Sequence, residues 1–264
     1  MVGFEGKGIV KSNQKHTDNS DTAHDEAVQM MAGWVSAIAD QVKNPVAGLS
    51  AAAGLIEKQM AAFRAEQSWD PAIVEEAVRL MILRLNRFDQ YLSELSGFTR
   101  EVQLDVKSWS IAEQWNSIEQ AIVRRIPLDF RLIPNIPAAL CIDADLERVT
   151  SALGSLVFNS VESTSRHVHP VIEVSFCQFH DQQSQVDGVS IVVLDNGSGF
   201  MPSALENALE PFFTTKDAGT GLGLAMVQKY VKAHGGWIKL GHRVMVDQQP
   251  GAMVQLFFPR QRQV

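Results

Sequence analysis

Apolar residues recur at three- and four-residue steps from about residue 26 to residue 64. Met30, Met31, Trp34, Val35, Ile38, Val42, Val46, Leu49, Ala53, Ile56 and Met60 carry the pattern. Side chains at those steps share one helix face, so the spacing predicts a single long helix. Pro45 falls inside it and predicts a kink, because it removes an i→i−4 hydrogen bond. Residues 65–69 read as a short connection, with Asp70-Pro71 as cap and first-turn pair. A second helix then runs to about residue 98 on Ile73, Val74, Val78, Met81, Ile82, Leu85, Phe88, Leu92 and Leu95. Two long helices joined by a short turn form an antiparallel hairpin. Its apolar face is too wide for one hairpin to bury, which predicts a homodimeric four-helix bundle.

From about residue 102 the period changes. Short apolar segments at 129–133, 139–142, 171–179, 189–194, 237–240 and 252–258 read as strands, and 111–124, 144–163 and 222–234 as helices. Residues 180–188 form a polar hairpin loop. The mixture predicts an α+β sandwich with helices on one face of a sheet. The expected organisation is a disordered leader at 1–25, a helical hairpin at 26–100 and a sheet domain at 101–264, with the boundary near 97–106.

Composition narrows the class. The chain has 264 residues, 45% hydrophobic and 20% charged, which suits globular domains. A net charge of −7 argues against general nucleic-acid binding. No apolar run approaches the ~20 residues of a membrane helix, and no signal peptide opens the chain. The two cysteines, Cys141 and Cys177, sit in strand-like apolar contexts and read as buried reduced thiols, which fits a cytoplasmic location. Neither Cys nor His shows metal-ligand spacing.

Candidate chemistry collects in the second half. Gly219-Thr220-Gly221-Leu222-Gly223-Leu224 leads straight into a helical stretch. Closely spaced glycines at a helix start place bare backbone N–H groups and the positive dipole end together, which suits a polyphosphate. Asp195 closes an apolar strand before Gly197 and Gly199, where a carboxylate can accept from an adenine amino group. Phe212-Phe213-Thr214-Thr215-Lys216 suits a mobile lid with Lys216 near the phosphates. Asn159, at a polar position of an amphipathic helix, can offer a carbonyl oxygen to Mg²⁺. Singly, each also fits a plain role: an exposed helix Asn, a turn, a solvated loop.

Taken in order, these elements resemble the catalytic ATP-binding domain of sensor histidine kinases, which share the Bergerat fold with DNA gyrase, the Hsp90 chaperones and MutL. The resemblance covers residues from about 102 to the C-terminus. It implies ATP and Mg²⁺ as ligands, Asn159 as the Mg²⁺ ligand and Asp195 as the adenine reader. Gly197, Gly199, Thr214, Thr215, Lys216, Gly219, Gly221, Leu222 and Gly223 would then be lid and phosphate-loop residues. Ser155 departs from the pattern, since many kinases carry a second asparagine there.

The segment Ala39-Asp40-Gln41-Val42-Lys43-Asn44-Pro45 looks like the kinase dimerisation helix, whose usual pattern is (Ser/Ala)-His-Glu-(Ile/Leu)-(Arg/Lys)-Asn-Pro-(Leu/Ile). Asp40 stands at the phospho-acceptor position, and Gln41 where an acidic helper is usual. A carboxylate lacks the imidazole nitrogen that receives the γ-phosphoryl group. His24 lies roughly four helical turns earlier, out of reach. Autophosphorylation of this chain is therefore not expected, whether Asp40 reflects natural degeneracy or a replaced histidine. Asn44, at i+4 from Asp40, shares its face. The resemblance implies that such an Asn positions water for dephosphorylating a response regulator; its other reading is a partner for backbone groups freed by Pro45.

The leading expectation is a histidine-kinase-type protein of a two-component system, in the transferase class. Its implied partners are a second copy, a response-regulator receiver domain, and another kinase or sensor protein; nucleic acid and membrane insertion are not expected. The alternatives are a response-regulator phosphatase using Asn44 and a non-enzymatic ATP-responsive scaffold. A chaperone-type ATPase fits the helical hairpin poorly.

Overall fold

A computed structural model describes residues 17–65, 69–126, 128–164, 169–216, 219–243 and 251–260. They fall into two compact units, one ending at Phe88 and the other beginning at Asp89. This division lies inside the second long helix, ahead of the 97–106 stretch where the residue pattern changes.

In the first unit, α1 spans Thr17–Arg64 and runs through Pro45 without ending. It begins ahead of residue 26, so 17–25 are helical rather than part of a disordered leader; residues 1–16 lie outside the described ones. Once a helix is nucleated, each added residue gains a hydrogen bond, so polar flanks extend it. The helix α2 spans Pro71–Thr99 and starts where Asp70-Pro71 predicts. The Asp70 carboxylate accepts from the Ala72 N–H at 2.9 Å, and the Asp70 N–H donates to Gln59 at 2.9 Å. An edge contact between Phe63 and Trp69 adds to this turn. Ala52 and Ala77 are buried, and the Arg84 guanidinium lies over Gly48. Many larger apolar side chains stay exposed, including Val35, Val46, Leu55, Val78, Ile82 and Leu85.

The second unit takes the last turns of α2 and then the order β1 (Lys107–Ser110), α3 (Ile111–Arg125), β2 (Arg131–Asn135), β3 (Cys141–Ala144), α4 (Leu146–Ser163), β4 (Val171–Asp181), β5 (Val186–Asp195), α5 (Pro202–Leu205), α6 (Gly223–Ala233), β6 (Trp237–His242) and β7 (Ala252–Pro259). Strands β2-β4-β5-β7-β6 form one sheet, parallel only between β2 and β4, and β1 pairs with β3 separately. This is the α+β arrangement that the pattern predicts. The β4–β5 ladder continues to Asp181 and Val186, so the hairpin turn is tighter than the polar loop expected at 180–188.

Ile111, Trp115, Ile118 and Ile122 form one stripe of α3, and Val149, Leu153, Leu156 and Val157 one of α4. They meet the alternate residues Ile172, Val174 and Phe176 of β4 and Ile191 and Val193 of β5. Full burial of each such side chain contributes about 1.5–3 kcal/mol. Strand alternation corrects the reading of the cysteines. Cys177 follows buried Phe176 and Cys141 precedes buried Ile142, so both thiols point away from the core and are exposed.

His234 ties the end of α6 to the start of α4. Its Nε2 accepts from the Asp145 N–H at 3.0 Å, and its Nδ1 faces the Tyr230 carbonyl at 2.7 Å. That pairing sets a neutral ring protonated at Nδ1. Burial pushes its pKa below the ordinary imidazole value, against the pull of the Tyr230 carbonyl and Asp145. Asp145 caps α4 through Arg148 N–H and also accepts from Asp105 N–H. Burial opposes its ionisation, but those backbone donors outweigh it and hold its pKa below the usual carboxylate value. The His234 contact ties α4 to α6 at the ends remote from Asn159 and Gly223.

Candidate functional site

Asn159 lies in the last turns of α4, half-buried. The Lys216 ammonium stands 3.5 Å from Asn159 Oδ1 and 2.8 Å from Glu162 Oε2. A Cβ added at Gly223, the first residue of α6, would touch the Asn159 amide at 3.5 Å. Asn159, Lys216 and Gly223 therefore converge from three separate segments. The Asn159 carbonyl oxygen already faces a cation, the role a hard-metal ligand requires. Glu162, at i+3 from Asn159 on the same face, is a member that helical spacing alone makes legible.

About one turn further along α4, roughly 6 Å by helix rise, Ser163 meets the Asp195 loop. A Cβ at Gly197 would fall 2.2 Å from Ser163 Oγ and 3.2 Å from its backbone carbonyl carbon, so glycine suits this close approach. Asp195 is 4% exposed at the end of β5. Its Oδ1 accepts from Gly197 N–H at 3.0 Å and Ala252 N–H at 2.9 Å, joining β5 to β7. Oδ2 has no hydrogen-bond partner among the described residues. Gly199, at φ +72°, packs on the Gly251 carbonyl. Asn196, unmarked by any sequence pattern, accepts from Val171 N–H and donates to the His169 carbonyl, closing the base of this loop.

The glycine loop is held against the lid segment. Phe212 N–H donates to the Gly221 carbonyl at 2.9 Å, and both residues have positive φ, +69° and +67°. Thr214 Oγ1 accepts from Lys216 N–H at 3.1 Å, and Gly219 N–H donates to the Lys216 carbonyl. Gly219 packs on Thr214, while Thr214 and Thr215 are exposed. Leu222 is fully buried, so its side chain serves the core. Its N–H donates to Thr220 Oγ1 at 3.3 Å, and Thr220 Oγ1 in turn donates to Glu94 at 2.7 Å. Glu94 is 126 residues from Thr220, and no local spacing signals the pair.

Asp40, Gln41 and Asn44 lie in α1 of the first unit. Asp40 and Asn44 are exposed and Gln41 is half-buried. Lys43 Nζ is 4.0 Å from the Asp40 carboxylate, an exposed pair of negligible energy. With Asp40 and Asn44 one turn apart, a carboxylate and an amide share one helix face.

Residues 144–262 match the family described as histidine kinase-, DNA gyrase B- and HSP90-like ATPase. The chain is 30% identical over 224 residues to the sensor histidine kinase ZraS of Klebsiella oxytoca, covering 82% of this chain and 44% of that protein. It is 27% identical over 228 residues to the sensory histidine kinase/phosphatase NtrB of Rhizobium meliloti, covering 82% and 56%. Residues 144–262 thus carry an ATPase domain of that family, and over most of its length the chain is similar to sensor histidine kinases. The chain spans about half the length of the curated relatives it matches. The solved structure of histidine kinase ThkA in complex with response regulator protein TrrA shares the fold: TM-score 0.65 at 18% identity, over 96% of this chain and 68% of that one.

The sequence signals cluster on the α4 end, the β5 end and the α6 start. Among the described residues no helix is long and apolar enough to cross a membrane. Nor do three or more His, Cys, Asp or Glu group as a metal cluster there. The Asn159 carbonyl oxygen is of the type that serves a divalent ion together with ligand oxygens and water.

Proposed function

We propose that this chain is an ATP–Mg²⁺-binding signalling protein of the two-component type, dimeric through its hairpin, that engages a response-regulator receiver domain without autophosphorylating. The observation that carries the reading is the pair of stations along the end of α4. Asn159 Oδ1 faces a cation beside the glycine-led start of α6, and one turn on a buried Asp195 has Oδ2 unpartnered among the described residues. A nucleotide supplies complementary groups: an amino group for the carboxylate, and a metal polyphosphate for the amide oxygen, Lys216 and the loop N–H groups. The bound nucleotide would offer a transferable phosphoryl group. The chain's own residues hold its two ends and screen its charge. Gly197, Gly199 and Gly221 fit, because each admits backbone where a Cβ would collide or require unfavourable φ.

Calorimetric titration with ATP and Mg²⁺ tests this. Asp195→Asn should weaken binding by about 1–3 kcal/mol, the usual cost of losing a charged hydrogen bond. Lack of heat at millimolar ATP for the unaltered chain would rule the reading out.

The exposed apolar side chains Val35, Val46, Leu55, Val78, Ile82 and Leu85 support self-association of the hairpin, since water contact on so many is unfavourable. Light scattering of the full chain should give twice the monomer mass with or without nucleotide. A monomer at tens of micromolar would count against the dimer.

A second reading, response-regulator phosphatase, is favoured by one observation: Asn44 is exposed one helical turn after Asp40. The chain should then speed loss of phosphate from a receiver domain charged with acetyl phosphate, and Asn44→Ala should slow it. Equal rates for the two chains would exclude a role for Asn44.

A further inference from the structure

The start of α6 is already supplied with an anion. A helix N-terminus leaves backbone N–H groups unpaired and carries partial positive charge, which is why it attracts phosphate. Here Leu222 N–H donates to Thr220 Oγ1, and the Thr220 hydroxyl passes its hydrogen to the Glu94 carboxylate at 2.7 Å. The relay N–H to hydroxyl to carboxylate places one negative charge two hydrogen bonds from the start of α6. Thr220 lies within the glycine loop itself, between Gly219 and Gly221.

Glu94 is held there by the rest of its helix end. Lys229, on α6, donates to the carbonyls of Phe98 and Arg100 and lies over the Phe98 ring. A cation on exposed carbonyls at a helix C-terminus is favourable. The Phe98 ring also meets Phe212 edge-on, with centroids 6.3 Å apart, and Phe212 is the residue bonded to Gly221. The last turns of α2 thus grip the glycine loop by charge, by ring contact and by a capping lysine. All these residues belong to the unit that begins at Asp89.

We propose that Glu94 is a built-in stand-in for nucleotide phosphate, so that docking of the last turns of α2 and binding of a polyphosphate compete for the start of α6. The proposal rests on the ATP reading above and adds its regulation. Competition is reciprocal: whatever loosens the end of α2 raises nucleotide affinity, and nucleotide loosens the end of α2 by the same free energy. The continuous helix α2 is then an input line to the nucleotide loop.

The test compares the full chain with Glu94→Gln, which keeps an acceptor for Thr220 and removes the charge. Calorimetry with Mg²⁺–ATP at low salt should show about two- to fivefold tighter binding by the variant, the range expected for one charge near a helix terminus. The gap should shrink at high salt. In the unaltered chain, ATP should speed amide hydrogen exchange over residues 97–100. Normal ATP binding by both chains with equal or weaker affinity in the variant overturns the proposal alone, as does slower exchange at 97–100 with ATP. Absence of ATP binding by both chains overturns the nucleotide reading and this proposal with it.

Discussion

Replacing Gly221 with valine should reduce ATP affinity by at least about tenfold while the sheet core stays folded. Gly221 holds φ +67°, a region a β-branched residue avoids at a cost of about 1–3 kcal/mol. A Cβ there would stand 2.3 Å from the Phe212 carbonyl carbon and 2.6 Å from its oxygen. Both neighbours are backbone, so no rotamer change relieves the overlap. The Phe212–Gly221 hydrogen bond must open, and the loop then leaves the start of α6. Leu222 and α6 remain packed through Val227 and Val231, so the circular-dichroism spectrum should persist. Calorimetry checks the affinity; binding within twofold of the unaltered chain would place the polyphosphate elsewhere.

Incubation with γ-labelled ATP should leave the unaltered chain without acid-labile label, and Asp40→His should acquire it. Asp40 is exposed, one turn ahead of Asn44 on a helix that continues through Pro45, so an imidazole there meets no steric obstacle. The proposed nucleotide site keeps its residues, and phosphoryl transfer depends chiefly on positioning and charge. Gln41 replaces the usual acidic helper, so the gained rate should be low. Acid-labile label on the unaltered chain would overturn the first half. An unlabelled Asp40→His chain that still binds ATP would overturn the second and favour the phosphatase reading.

Where periodicity is long, sequence and structure agree: α1, α2, α3, α4 and α6 all follow apolar steps of three and four. Short elements escape. β1 has four residues and exists by pairing with β3, and α5 is a single turn ahead of the lid. The start of α1 escapes too, since polar residues extend a helix without marking it. The cysteines are instructive in another way. Each sits in an apolar stretch, yet alternation turns Cys141 and Cys177 outward, because a one-residue step in a strand changes the face.

At the candidate site, local motifs carry their own signal. Gly-x-Gly after a strand, glycines before a helix, and an Asn on a helix are each visible within a few residues, because the backbone chemistry they serve is local. The resemblance to the ATPase domain and the α+β class therefore follow from sequence alone, as does the absence of an imidazole at position 40. Three-dimensional packing decided what links distant segments: Lys216 on Asn159 and Glu162, Ser163 against Gly197, His234 on the Asp145 backbone, and above all Glu94 on Thr220. Those pairs lie from 34 to 126 residues apart. Hydrogen bonds and steric limits act over about 3 Å, so their partners are set by where the sheet and helices bring the chain together.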